Sequence, residues 1–297
     1  MKIGWIGTGV MGISMAGHLQ AAGHSLFVYN RTRQKAAPLL ERGAVWCETP
    51  AEVGAQAETV FSMVGYPEDV EEAWLDPDTG LFARPVCRLA IDMTTSSPDL
   101  AVQLAEEGAA RGIAVLDAPV SGGDIGARNA TLAIMVGGVP EAFALAKPLF
   151  DLLGKNIARL GPAGSGQHAK MCNQILIAGN MIGVCEALLY AERAGLDPSA
   201  LIEIVGKGAA GSWSVNNLGP RIVAGNYDPG FYIEHFLKDM GIALDECRRQ
   251  RITLPGLELA YGLYRRLLAS GRGRLGTQAL MLILRELNQE YPARLED

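Results

Sequence analysis

Short apolar runs and helix-spaced apolar positions alternate along the first half of this chain. Residues 2–6 form an apolar run that suits a buried strand. Residues 10–22 carry apolar side chains at helical spacing (Val10, Met11, Met15, Leu19, Ala22), and Gly23 stands where that helix would end. A second apolar strand is predicted at 26–29, then a helix from 33 to about 42 closed by Gly43. Further strands are predicted at 59–64, 89–92, 114–118, 132–136 and 157–160, with helices at 67–74, 98–111 and 141–153 among them. Alternation of this kind predicts a mostly parallel sheet covered on both faces, with ligands gathering at the carboxyl ends of its strands. The pattern changes at Gly161-Pro162-Ala163-Gly164. Beyond it no convincing strand pattern appears, and helical spacing recurs at about 168–195, 198–207, 236–249, 258–269 and 275–287.

The first strand-to-helix junction reads Gly7-Thr8-Gly9-Val10-Met11-Gly12, a G-x-G-x-x-G spacing inside a strand–helix–strand unit. That context is what a dinucleotide-binding loop requires. Gly7 would make the tight turn, Gly9 would let the backbone approach a pyrophosphate, and Gly12 would let helix and strand pack closely. The whole loop is therefore expected to bind cofactor. The expected fold is α/β: an N-terminal Rossmann dinucleotide-binding domain over 1–161, then an all-α substrate and dimerisation domain over 162–297. An NAD site usually carries an acidic residue about 20 residues on, whereas an arginine there accommodates a 2′-phosphate. This chain has Asn30-Arg31-Thr32 and no carboxylate, so NADP is favoured, with NAD an open alternative.

Composition narrows the partners. A net charge of −6 argues against nucleic acid or an anionic membrane as the main partner. The apolar stretches are interrupted by polar residues, so no transmembrane helix is expected, and nothing at the N-terminus reads as a signal peptide. Five scattered cysteines fit reduced thiols in a cytoplasmic protein, and neither they nor the four histidines form a ligand pattern, so no metal is expected.

Three further polar stretches carry candidate chemistry. Asp117-Ala118-Pro119-Val120-Ser121-Gly122-Gly123 ends a predicted strand. Ser121 supplies a hydroxyl, and Gly122 and Gly123 supply closely approachable backbone N–H groups, a set suited to a small carboxylate; a plain loop is the alternative. Gly164-Ser165-Gly166-Gln167-His168-Ala169-Lys170-Met171-Cys172-Asn173 opens the long predicted helix. Lys170 and Asn173 share a helix face there. Apolar surroundings would lower the pKa of Lys170 toward acid/base use, while a surface lysine with a buried stem is the plainer reading. The third stretch contains Lys238-Asp239. Lys238 either reaches a cofactor cleft or pairs with Asp239 or Glu234.

Taken in order, these motifs resemble the β-hydroxyacid dehydrogenase family, which includes 3-hydroxyisobutyrate dehydrogenases and the tartronate, glyoxylate and succinic semialdehyde reductases. The resemblance spans the whole chain. It implies an NADP-dependent oxidoreductase acting on a small carboxylate substrate, a homodimer or homotetramer formed through the helical domain, and Lys170 as catalytic acid. It further implies Ser121, Gly122 and Gly123 at the substrate carboxylate, Asn173 near the reacting oxygen, and Met63, Val64, Thr95 and Lys238 along the nicotinamide half of the cofactor. Two stretches depart from the family pattern: Met63-Val64-Gly65-Tyr66-Pro67 replaces Met-Leu-Pro, and Gly276 stands where an Asp is common. The related 6-phosphogluconate dehydrogenases carry a His three residues and a Glu seven residues after the lysine. Asn173 and Ile177 occupy those positions here, which sets decarboxylation aside. An imine reductase and a non-catalytic NADP-binding scaffold are the competing expectations.

Overall fold

The predicted N-terminal strands form as β1 (Lys2–Ile6), β2 (Ser25–Tyr29), β4 (Thr59–Ser62), β5 (Leu89–Asp92) and β6 (Ala114–Asp117), with a two-residue β3 (Val45–Trp46) between β2 and β4. Three more follow: β7 (Val120–Ser121), β8 (Leu132–Gly137) and β9 (Gly154–Gly161). All nine belong to one sheet in this computed structural model, which describes residues 1–290; residues 291–297, the last part of the expected second domain, lie outside the described residues.

The strand order is β3-β2-β1-β4-β5-β6-β8-β7, with β9 paired to β8. The first six strands are parallel throughout. Their order, 3-2-1-4-5-6, is that of a doubly wound dinucleotide-binding sheet, whose direction of winding reverses between β1 and β4. β8 then runs antiparallel to β6 and β7 but parallel to β9. The central strands β4 and β5 are buried over their full length, as a sheet covered on both faces demands. Trp5 stacks on Phe61 at 5.4 Å between ring centres, and Phe61 meets Phe150 edge-on.

Local chemistry sets the helix starts. Pro98 opens the Pro98–Ala109 helix, and Ser97 Oγ caps it by accepting from Leu100 N at 3.2 Å. Thr49 does the same for Pro50–Gln56. Gly23 and Gly112, both at positive φ, end the helices before them. The predicted helix at 33–42 is instead a 3-10 turn, Arg33–Ala36, followed by the short helix Ala37–Leu40 with Pro38 in its first turn.

The chain divides into two compact units, Met1–Lys170 and one that begins at Met171, so the division falls inside the helix Ser165–Arg193. Among the described residues the second unit is helical, with Pro198–Val205, Ile233–Gln250, Pro255–Ala269 and Leu280–Glu290 as its longer members and a single isolated bridge, Tyr232–Gly276. Phe236 meets Tyr264 edge-on at 5.1 Å in its core, and the Tyr264 hydroxyl donates to Thr277 O at 2.7 Å. The Ser165–Arg193 helix is long and apolar enough, at a mean hydropathy of 1.5, to cross a membrane by length and composition. One face of it, with Ala178, Met181, Val184, Cys185 and Leu188 buried, belongs to the second unit's core, while Leu176 and Tyr190 are exposed.

Candidate active site

One row of paired residues crosses the carboxyl ends of the parallel strands: Tyr29, Ile6, Ser62, Asp92 and Asp117. The residues that follow each of them are those the sequence marks for chemistry.

After Ile6 comes the glycine loop. Gly7 has a φ of +96°, and a Cβ there would lie 2.2 Å from Met63 O, so the turn admits no larger residue. A Cβ on Gly12 would lie 2.0 Å from Gly7 O, which seats the Gly12–Ala21 helix directly on the loop. Gly9 differs: a Cβ there would meet nothing within 4 Å. Packing does not require glycine at that position, and the bare backbone faces open space. These are the properties a pyrophosphate-binding loop needs, so the residues present fit a dinucleotide. Val10 is exposed, and Thr8 is buried with its N–H donating to Asn30 Oδ1 at 3.0 Å.

At the end of β2, Asn30 also donates from Nδ2 to Thr32 O at 2.9 Å. Its amide therefore ties the glycine loop to the β2 terminus, a role the sequence did not suggest. Arg31 pairs with Asp69 at 2.8 Å while its side chain stays 72% exposed. Asp69 in turn accepts from Tyr66 N, capping the Pro67–Leu75 helix.

β4 and β5 end in a buried polar chain. Trp74 Nε1 donates to Ser62 Oγ at 3.0 Å, and Ser62 Oγ donates to Asp92 Oδ1 at 2.7 Å. Thr94 N donates to the same Asp92 oxygen, and Thr94 Oγ1 accepts from Val64 N at 3.0 Å. Met63, Val64 and Thr95 are partly exposed on these strand ends. Burial pushes the Asp92 carboxyl up to about 6, against the pull of its hydrogen bonds from Thr94 and Ser62.

β6 ends at Asp117, whose carboxylate accepts from Gly164 N and Gln167 N, both at 2.9 Å, at the start of the Ser165–Arg193 helix. Burial raises its pKa as well. Gln167 Nε2 donates to Thr94 O at 2.8 Å, and its Oε1 accepts from Ser96 N at 2.9 Å. One turn on, Lys170 is 6% exposed and donates from Nζ to Val120 O at 2.8 Å. Val120 is followed by Ser121, then by Gly122 (φ +135°) and Gly123 (φ +61°), a turn no L side chain adopts comfortably. The structure thus brings Lys170 to the backbone of the Ser121 turn.

Two predicted residues lie in the second unit. Asn173 Nδ2 donates to Gln174 Oε1 at 2.7 Å, and Gln174 Nε2 donates to Asp239 Oδ2 at 2.5 Å. Lys238 Nζ forms an ion pair with Asp239 Oδ1 at 2.9 Å, and both side chains are largely buried. Sequence reasoning missed Asp92, Thr94, Asp117, Gln167 and Gln174 as functional candidates. A signal existed for Asp92 and Asp117, each an acidic residue closing an apolar strand run.

Comparison with known proteins shows the family. Residues 2–161 match the NAD-binding domain of 6-phosphogluconate dehydrogenase, and residues 164–284 match the NAD-binding domain of NADP-dependent 3-hydroxyisobutyrate dehydrogenase. An uncharacterized oxidoreductase of Bacillus subtilis is 51% identical over 94% of this chain and 96% of its own length. The 2-hydroxy-3-oxopropionate reductase of Escherichia coli is 39% identical over 96% of this chain and 97% of its own. A solved 3-hydroxyisobutyrate dehydrogenase of Mycobacterium tuberculosis, in complex with L-serine, superposes with a TM-score of 0.87 at 30% identity, covering 96% of this chain and 99% of that one. The chain belongs to the β-hydroxyacid dehydrogenase family, the nicotinamide-dependent dehydrogenases and reductases of the 3-hydroxyisobutyrate dehydrogenase type.

Proposed function

We propose that this protein is an NADP-dependent reductase of small aldehyde acids, acting reversibly as a 3-hydroxy acid dehydrogenase, with Lys170 as the general acid. The observation that carries the reading is the placement of the Lys170 ammonium, buried and 2.8 Å from Val120 O, one residue before Ser121. A cation held there lies beside the turn suited to a carboxylate, and it has protons to give to a developing alkoxide. NADPH, when bound, supplies the hydride. Gly7, Gly9 and Gly12 would hold its pyrophosphate, and Met63, Val64 and Thr95 would border its nicotinamide half. Ser121, Gly122 and Gly123 hold the substrate carboxylate by the hydroxyl and the backbone. Lys170 protonates the oxygen in reduction and takes the proton back in oxidation.

The preference for NADP rests on the β2 terminus. Arg31 and Thr32 stand where a carboxylate would repel a 2′-phosphate, and Arg31 is exposed enough to meet one. The relatives' named reactions support the substrate class, since both 2-hydroxy-3-oxopropionate and 3-hydroxyisobutyrate pair a carboxylate with an oxygen on the β-carbon. An initial-rate screen of glyoxylate, succinic semialdehyde, tartronate semialdehyde and methylmalonate semialdehyde with NADPH and NADH tests the proposal. Turnover of one or more with NADPH is expected; turnover of none of the four with either cofactor, alongside reduction of cyclic imines, contradicts it.

A further inference from the structure

Gln167 is fully buried, and the proton transfer proposed above does not use it. Its side chain spans two backbone groups of one turn, donating to Thr94 O at 2.8 Å and accepting from Ser96 N at 2.9 Å. That turn is itself held from the cofactor side, because Thr94 Oγ1 accepts from Val64 N. Its own backbone N–H donates to Asp117 at the end of β6. The first turn of the helix is seated tightly: a Cβ on Gly166 would lie 2.5 Å from Met135 O and 2.6 Å from Asp117 O. Lys170 follows Gln167 by three residues on the same helix, so a shift of that turn carries the ammonium with it.

We propose that Gln167 is a positioning residue for Lys170. Its amide locks the helix that carries the acid to the Thr94–Ser96 turn, and Asp117 fixes the start of that helix to β6. Lys170 Nζ is thereby held at Val120 O, in fixed register with the strand ends assigned to the cofactor. The proposal rests on the reading of Lys170 as the acid. The chemistry of the link explains the residue type. An amide offers one donor and one acceptor to a C=O and an N–H. A protonated carboxylic acid offers the same pair, whereas an ionised carboxylate only accepts.

The test compares Gln167→Met, Gln167→Glu and Lys170→Met with the wild type. NADPH is the cofactor, and the substrate is whichever of the four aldehyde acids turns over fastest. Gln167→Met keeps the volume and loses both bonds. It should lower kcat by about 10- to 100-fold, the usual cost of a displacement near 1 Å. KM for the aldehyde acid should stay within about threefold, since ground-state binding does not use the link. Gln167→Glu should recover as the pH falls: its kcat relative to wild type should rise when the introduced carboxyl takes up a proton. Asp117 on β6 and Asp92 on β5, both raised by burial, and the Lys170 side chain are present in both proteins, so the ratio reads the effect of the introduced carboxyl. A wild-type kcat in Gln167→Met overturns the proposal, as does a ratio for Gln167→Glu that is flat with pH. If Gln167→Met does not fold, the Gln167→Glu series decides alone. An active Lys170→Met removes the functional reading and the positioning role with it. An inactive Lys170→Met beside a normal Gln167→Met removes the positioning role only.

Discussion

At the scale of single residues, burial and charge do most of the explaining. Asp92 sits within the sheet and its pKa is pushed from the ordinary 3.8 to about 6, by burial first and by Asp117 last. Between those values the folded protein holds a proton that the unfolded chain has released. The resulting stabilisation is complete below about pH 4 and is lost as the pH rises through about 6. Asp92→Asn should therefore flatten the decline of the thermal midpoint across that window, though Asp117, shifted the same way, leaves some slope. Unfolding curves of both proteins from about pH 4 to about pH 7 check this, and an unchanged slope counts against it. With the proposed carboxylate site, Ser121→Ala should act on binding. A hydrogen bond to a charged group contributes about 1.5–3 kcal/mol, so KM for aldehyde acids should rise about 10- to 100-fold while kcat holds. Matching uncharged aldehydes should be indifferent to the change. The apolar neighbours of Lys170 left burial and surface placement both open, and its role as acid came from the family resemblance; the fold buries it. Gln167 was not legible, because a glutamine in a polar helix start carries no chemical signature until its partners, Thr94 and Ser96, are known.

At the scale of elements, the proposed cofactor binding rests on the glycine loop and the β2 terminus. Gly12→Ala would place a Cβ 2.0 Å from Gly7 O, a backbone atom with no freedom to yield. Overpacking of this kind costs about 1–3 kcal/mol, and here it should also displace the loop and weaken NADPH binding. Fluorescence titration with NADPH reads that directly; unaltered affinity would mean that the loop tolerates the shift. Asn30→Asp with Arg31→Leu should move the kcat/KM ratio from NADPH toward NADH by about one to two orders of magnitude. The aspartate keeps an acceptor for Thr8 N, so the loop should stay in place. The exposed Arg31–Asp69 pair adds little to stability, so its loss should not confuse the result. A ratio that does not move would show that the stretch leaves the cofactor alone. Most of these elements were legible because period and length distinguish a five-residue apolar run from a helical stripe. The two-residue β3 and β7 and the short helices Trp213–Asn217 and Gly219–Val223 offer too few positions for a period to show.

At the scale of the whole molecule, the change from alternating elements to helices alone was legible near Gly161, and the two family matches fall on either side of that point. The sheet order was not legible. Local patterning does not say that β1 lies between β2 and β4, or that β8 reverses direction beside β6; tertiary pairing decides both. For the same reason the row that sets Asp92 beside Asp117, and through Gln167 joins the strand ends to Lys170, becomes visible only in the folded chain. The central claim is that this fold holds one lysine as the acid for reducing an aldehyde acid with NADPH. The most direct measurement is NADPH oxidation by wild type and Lys170→Met, with NADPH affinity measured on the same samples. Loss of one positioned acid should cut kcat by roughly 10²–10⁴-fold and leave NADPH binding near normal. A Lys170→Met protein that binds NADPH and keeps most of its kcat would contradict the account.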